Sequence, residues 1–517
     1  MLNVLIWFPC IAAIIVALLP QQISGRNVRL AALVLSGAIL LFTLAVVAQF
    51  DVSNNALQFQ ETRSWLTDLG LDYQLGVDGL SLPLLVLNSL LCWIAIYSSR
   101  VETKRPRLFY ALILLINGGV AGAFVAQNLL LFFLFYEIEL IPFYLLISIW
   151  GSSQQGSAAT KFLLYTATSG GLILAGFLGV IWFSEASSFS YEVLLGQDLP
   201  INIQYAVLIL LLLGFGIKTP LVPLHTWLPD TYVAASTPVA ILLGGVLAKL
   251  GTYGIFRFCM PLFPDAWQTL SPVLATWAIV SVLYGALAAI AQKDIKRMVA
   301  YSSVGHMGYI LLAAAAHTEL SVVGAISQMF AHGLILALLF HLVGIIETKV
   351  GTRDLEVLNG LMNPVRGLPL VSALLVLAGM ASAGIPGLVG FIAEFLVFQG
   401  SYAAFPIQTL LSVVGTGLTA VYFVILLNRT CFGRLDSSIA YYPKVEWNER
   451  IPALILTLLI IVLGLQPSWL VRWSEPTTAA MLAEIHLSTP TPNTFVVKID
   501  PEPMPTLLSA GNSSSVG

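Results

Sequence analysis

Apolar runs of about twenty residues recur along this chain, separated by short polar stretches. A helix of that length crosses the roughly 30 Å hydrocarbon core of a bilayer. Read this way, the pattern predicts fourteen membrane spans, near 3–20, 30–50, 80–98, 108–126, 129–149, 161–183, 204–220, 237–260, 272–291, 298–316, 321–346, 369–400, 407–428 and 451–472. Two of them are interrupted. Pro220 and Pro223 close the seventh and lead into a short polar segment with His225, Trp227 and Asp230. The run 369–400 is too long for one straight span, and Pro386 among Gly384, Gly387 and Gly390 marks its break. Proline removes a backbone hydrogen bond and breaks a helix interior. Within a membrane such a break survives only where it is buried in protein or lines a watery cavity. The predicted class is an all-α membrane protein.

The breaks also suggest a repeat. Pro220 and Pro386 lie 166 residues apart, and Lys218 and Glu394 lie 176 apart. Spans four to eight and nine to thirteen then form two five-helix units, each with one discontinuous helix. Five is odd, so the units sit inverted in the membrane, as in many secondary transporters. This divides the chain into spans one to three (1–107), a first unit (108–260) and a second unit (272–428). The final span with its preceding loop (429–474) and a polar, Pro/Ser-rich tail (475–517) complete it. The tail is expected to be loosely ordered.

Composition agrees with this class and narrows the function. The chain is 58% hydrophobic and 9% charged, against roughly 25% charged in soluble domains. Its net charge of −3 carries no basic stripe for nucleic acid. Cys10, Cys92, Cys259 and Cys431 are isolated, with no CxxC spacing, so this chain alone is not expected to hold an iron–sulfur cluster or another metal. Neither GxGxxG after a strand nor GxxxxGK[ST] occurs, which argues against dinucleotide binding and nucleotide hydrolysis. The N-terminus lacks the basic start of a secretory signal and reads as a first span.

Loop charges predict orientation. Loops after odd-numbered spans hold sixteen Lys and Arg residues, including Arg29, Arg100, Lys104, Lys293, Lys296 and Lys349. Loops after even-numbered spans and the tail hold three, Arg63, Arg472 and Lys498. The positive-inside rule then puts the odd loops in the cytoplasm and both termini on the opposite face.

Few ionisable residues fall inside the spans: Glu137, Glu139, Lys218, Lys249, Arg257, His306, His332, His341 and Glu394. Arg257 is near a span end and is expected to snorkel. A membrane-centre lysine costs roughly 2.5–3.5 kcal/mol on insertion scales. Two lysines flanking a broken helix therefore point to an ion or proton path, against a reading in which they only pair helices together. A pair of Glu137 with Lys218 would keep the lysine protonated, and its opening would free the proton toward Lys249. His306 and His332 suit a relay near neutral pH, with Glu394 as its last group. Glu139, His225, Asp230 and His341 are accessory candidates. Glu137 and Glu139 are about 200° apart on a regular helix and cannot share one partner.

Six stretches carry a resemblance: YEIELIPFYLLISIWG at 136–151, KTPLVPLHTWLPD at 218–230, LAKLGTYG at 247–254, IKRMVAYSSVGHMGYI at 295–310, AHGL at 331–334 and GIPGLVGFIAEF at 384–395. They resemble the antiporter-like membrane subunits of complex I, in the form carried by NAD(P)H–quinone oxidoreductases of cyanobacteria and chloroplasts. That group is related to subunits of multisubunit Na⁺/H⁺ antiporters, which is the alternative function. The resemblance implies fourteen helices, inverted repeats and proton translocation driven by quinone reduction elsewhere. NAD(P)H or ferredoxin, iron–sulfur clusters and plastoquinone would then belong to partner subunits. It also implies further antiporter-like membrane subunits and lipids as partners, and a thylakoid location. By motif it carries relay roles to Glu137, Lys218, Lys249, His306, His332 and Glu394. One departure is TYVAAS at 231–236, with Ala234 where the respiratory-type pattern has glutamate. It points to a specialised paralogue, and the CO₂-uptake versions of the cyanobacterial complex are one such form.

Overall fold

The computed structural model describes residues 1–488 apart from 101–102, 153, 196, 198 and 436–440. Among the described residues, eleven helices are long and apolar enough to cross a membrane. They are Gly25–Gln49, Pro106–Val125, Leu129–Trp150, Gln155–Ser184, Ile201–Lys218, Thr237–Leu262, Pro264–Ile290, Ile295–Ala316, Glu319–Val350, Pro406–Thr430 and Trp447–Leu465. Four shorter apolar helices accompany them. Leu2–Leu18 and Ser81–Tyr97 have 17 residues each. Pro369–Ser382 and Val389–Tyr402 have 14 each and are the two halves of the run broken around Pro386. Fourteen residues rise only about 21 Å as an α-helix, so neither half alone matches a bilayer core.

The other break falls where the prolines predict it. Ile201–Lys218 ends on Lys218, and the helix resumes as Trp227–Ala234. Lys218 therefore sits at a helix C-terminus, where unpaired carbonyls favour a cation. Thr237–Leu262 is regular α-helix except for two π-helical turns, Leu243–Leu247 and Ile255–Cys259. Such turns free backbone groups and cluster at functional sites.

Burial sorts the helices into a centre and a rim. Thr237–Leu262 and Glu319–Val350 are apolar on all sides and buried, and Ile295–Ala316 is nearly so. These three carry Lys249, His332 and His306. Gly25–Gln49 and Trp447–Leu465 lie at the rim and turn residues such as Leu41 and Leu458 outward.

One end of the bundle gathers the basic loops. Arg29, Arg100, Lys296 and Lys349 line one cleft there. The other end carries a small antiparallel hairpin, Gln58–Leu66 with Leu71–Val77. The amino terminus meets Glu61 of this hairpin at 2.6 Å.

Three expectations change. Lys296 is not a loop residue but belongs to the Ile295–Ala316 helix, where it is buried. Its Nζ donates to the Ala235 carbonyl at 2.6 Å and the Val233 carbonyl at 3.3 Å, holding the C-terminal end of Trp227–Ala234. Residues 475–488, expected as loose tail, form a helix whose Thr477 Oγ1 accepts from the Gly79 amide at 2.8 Å. The remainder of that tail, 489–517, lies outside the described residues. Arg257 does not snorkel. It is buried and paired with Asp78 at 2.5 Å, and its Nε donates to Tyr253 Oη at 3.1 Å. Burial would push the Asp78 carboxyl up, but the Arg257 guanidinium outweighs it and holds the carboxyl below the usual carboxylate range.

Candidate functional site

The first charged cluster forms at a kink. Leu129–Trp150 is interrupted at Glu139, between helical segments Leu129–Ile138 and Leu140–Trp150. Pro142 explains the interruption, because it has no N–H to give to the Ile138 carbonyl and its ring crowds that turn. Glu139 is fully buried there and forms an ion pair with Lys218, itself 1% exposed. Lys218 Nζ also lies 4.2 Å from the centre of the Tyr136 ring, a cation–π contact. The Tyr136 hydroxyl meets Ser169 Oγ at 2.9 Å, and Ser169 donates to the Gly214 carbonyl at 2.8 Å.

The expected pairing of Lys218 with Glu137 is therefore corrected. Glu137 faces the Gln155–Ser184 helix, where Gly170 leaves its carboxylate the space a β-carbon would fill. It is only partly buried. The two glutamates do face apart, as their spacing requires, but the inner one is Glu139.

The second cluster is longer. Lys249 follows the π-helical turn Leu243–Leu247 and donates to the Gly244 carbonyl at 2.6 Å. Its Nζ also meets His332 Nδ1 at 2.7 Å. The His332 ring lies 5.4 Å from that of His306, centre to centre. His306 Nδ1 faces the Ser302 carbonyl at 2.8 Å. His306 Nε2 faces the Ser382 carbonyl at 3.1 Å and Glu394 Oε1 at 3.5 Å. Both ring nitrogens thus meet oxygen acceptors, which an imidazole satisfies fully only with a proton on each. Glu394 Oε2 accepts from Thr416 Oγ1 at 3.0 Å. Gly384, in the break of the second discontinuous helix, has φ 68° and no room for a side chain: a β-carbon would stand 2.7 Å from Glu394 Oε2. The break thus shapes the glutamate's seat.

The clusters approach where Gly251, two residues after Lys249, packs against Thr219, the residue after Lys218. Thr219 Oγ1 is buried there without a hydrogen-bond partner. The accessory candidates lie elsewhere. Asp230 joins Lys161 at 2.7 Å and Arg297 at 2.9 Å, half exposed. His225 packs edge-on against Tyr284. His341 meets the Glu449 carbonyl at 2.8 Å through Nε2. Sequence reasoning missed Tyr136, although it lies three residues before Glu139 and so on the same helix face. It also missed Asp78, which the chain carries in a polar loop 179 residues before its partner.

A multi-pass helical bundle with two broken helices and a buried row of titratable side chains is the architecture of an ion-translocating membrane subunit. The chain belongs to the membrane family described as NADH:quinone oxidoreductase/Mrp antiporter, whose model matches residues 126–419. It is 40% identical to NAD(P)H-quinone oxidoreductase chain 4 1 of Synechococcus sp. (strain JA-3-3Ab), over 95% of this chain and 94% of that one. It is 38% identical to the chain 4 1 of Nostoc sp. (strain PCC 7120 / SAG 25.82 / UTEX 2576), over 93% of this chain and 91% of that one. Its fold is similar to a chain of respiratory complex I from Thermus thermophilus, with TM-score 0.86 and 29% identity, covering 94% of this chain and all of that one. A chain of the Mrp complex from Dietzia sp. DQ12-45-1b shares the fold, with TM-score 0.82 at 22% identity, covering 94% and 98%.

Proposed function

We propose that this chain is a proton-translocating membrane subunit of an NAD(P)H- or ferredoxin-linked plastoquinone oxidoreductase. Protons move through a buried row of side chains while quinone is reduced in other subunits. The observation that carries this reading is the contact series Lys249, His332, His306, Glu394, every member buried and each within hydrogen-bond or ring contact of the next. Glu139 and Lys218 form the other end, and Thr219 stands between. Glu137 stands beside them, partly exposed and facing Gly170. Opening of the Glu139–Lys218 pair lowers the proton affinity of Lys218, because a buried ammonium without its counter-charge is costly. The released proton then has Lys249 and two imidazoles ahead of it.

In this reading NAD(P)H or ferredoxin, iron–sulfur clusters and plastoquinone belong to partner subunits. Among the described residues no group of three His, Cys, Asp or Glu side chains stands together for a metal ion. The similarity of the whole chain to chain 4 proteins supports the oxidoreductase over the alternative, a subunit of a multisubunit Na⁺/H⁺ antiporter. A thylakoid location, with both termini on the lumenal side, is supported by those relatives and by the gathering of Lys and Arg side chains at one end of the bundle. Ala234 in place of glutamate favours a specialised form, of which a CO₂-uptake complex is one.

Purification of the tagged chain from its native membrane tests the assignment. Iron–sulfur subunits should co-purify; an assembly holding only antiporter-type subunits would support the alternative. Lys249→Ala should abolish proton uptake per assembled complex, and normal uptake would remove the relay.

A further inference from the structure

Pro220 and Pro223 break the chain just after Lys218, and the break lies at the rim of the bundle. Pro223 is exposed there, in a shallow apolar groove that Leu213, Val273, Thr276 and Val280 also line. Val273 is 62% exposed and Val280 49%, so this side of the break is turned toward lipid. Irregular backbone in that position has no water to satisfy it and must find its partners in the protein. The amides of the break can be followed one by one. Pro220 and Pro223 have none. The Thr219 amide bonds the Phe215 carbonyl at 2.8 Å, and the Leu221 amide bonds the Gly216 carbonyl at 2.9 Å. Val222 remains, and both of its backbone groups go to another helix, Pro264–Ile290.

Ser281 Oγ accepts from the Val222 amide at 3.1 Å, and Trp277 Nε1 donates to the Val222 carbonyl at 2.5 Å. Trp277 and Ser281 are four residues apart and so share one face of their helix. Ser281 also donates to the Trp277 carbonyl at 3.1 Å, which commits its hydrogen and leaves a lone pair for Val222. The Trp277 ring reaches the other side of the break as well, since a β-carbon on Gly216 would stand 3.0 Å from it. Trp277 thus meets the chain two residues before Lys218 and four residues after it. In an uninterrupted helix the Val222 amide would bond the Lys218 carbonyl; here Ser281 takes it. The clasping helix has a tight seat of its own. Gly285, one turn after Ser281, lies against Gly305, the residue before His306, and a β-carbon on Gly285 would stand 2.5 Å from the Gly305 amide nitrogen.

We propose that Trp277 and Ser281 are positioning residues for Lys218: by holding both backbone groups of Val222 they end the helix at Lys218 and keep its ammonium at Glu139. Neither side chain carries the proton. Without the clasp, the Val222 amide and carbonyl stand unpaired on the lipid side, and the break must rearrange to satisfy them. Lys218, four residues away in the same turn of chain, moves with it.

The proposal rests on the role of Lys218 in the relay reading above, and the test separates the two. Ser281→Thr and Ser281→Val add the same bulk and differ in the hydroxyl. In vesicles holding the assembled complex, Ser281→Thr should keep most of the proton uptake, and Ser281→Val should lose it at least about tenfold, since a misplacement of about 1 Å can cost roughly a hundredfold. Trp277→Phe keeps a ring beside Gly216, loses the N–H and should fall similarly. Equal uptake per assembled complex in Ser281→Thr and Ser281→Val, or full uptake by Trp277→Phe, overturns the clasp, even where less complex assembles. Ser281→Ala, which adds no bulk, decides if the larger variants do not assemble: full uptake there overturns the clasp too. Lys218→Arg reports separately. If it pumps normally, the reading of Lys218 as a proton carrier fails, whatever the Ser281 variants show.

Discussion

Lys218 pairs with Glu139, not with Glu137 two positions before it. The helix is interrupted at Glu139, and that carboxylate is fully buried. Glu137 is left facing Gly170 and partly exposed. Removing one half of a buried ion pair costs on the order of 3–5 kcal/mol unless the survivor changes its protonation. In Glu139→Gln, Lys218 is therefore expected to shed its proton and proton uptake to stop. Glu137→Gln leaves the pair intact and should reduce uptake by less. Uptake per assembled complex, measured for both, checks the order; a greater loss in Glu137→Gln would return the primary role to Glu137.

Gly384 sits in a left-handed conformation against Glu394. Gly384→Ala costs roughly 1–2 kcal/mol for the backbone, and its β-carbon must displace the carboxylate. The complex should still assemble, with a slightly lower melting temperature, but uptake should fall sharply because Glu394 leaves His306. Full uptake in an assembled Gly384→Ala complex would show that the seat of Glu394 does not matter.

Asp78 and Arg257 form a buried pair outside the relay. Arginine cannot neutralise itself by losing a proton, so Asp78→Asn should cost about 3–5 kcal/mol and lower the amount of assembled complex. Uptake per remaining complex should be unchanged. The carboxyl is held below its usual value. Its stabilising effect is therefore complete above pH about 4 and is lost only as pH falls through the lower folded-state value. Thermal melts of parent and variant across acid pH should converge at the low end.

Loop charge predicts Lys104 and Lys293 on one face and Asp68 on the other, and all three are exposed. Single cysteines at these positions should react with an impermeant thiol reagent from opposite sides. Labelling of Lys104→Cys and Asp68→Cys from the same side would contradict the topology.

The all-helical membrane class was legible because long apolar runs have few other uses, and both breaks because proline leaves a mark in sequence; of the fourteen expected spans, eleven helices among the described residues are long and apolar enough to cross a membrane. The titratable set was legible for the same reason: few charges occur in so apolar a chain. What sequence could not show is partnership. Spacing shows that only one of Glu137 and Glu139 can face Lys218, but not that it is Glu139. Asp78 lies in a polar loop, and nothing local announces that Arg257 will come to it. Lys296 read as a loop lysine because its partners, the carbonyls of Val233 and Ala235, are backbone atoms that no side-chain pattern records.

Lys218→Arg tests most directly whether Lys218 releases a proton. Arginine keeps the positive charge and can still pair with Glu139, so the complex should assemble. It does not give up its proton in a protein. Proton uptake by vesicles, normalised to assembled complex, should therefore be lost in Lys218→Arg. Uptake at the parent rate would mean that Lys218 only holds helices together and lies off the proton path.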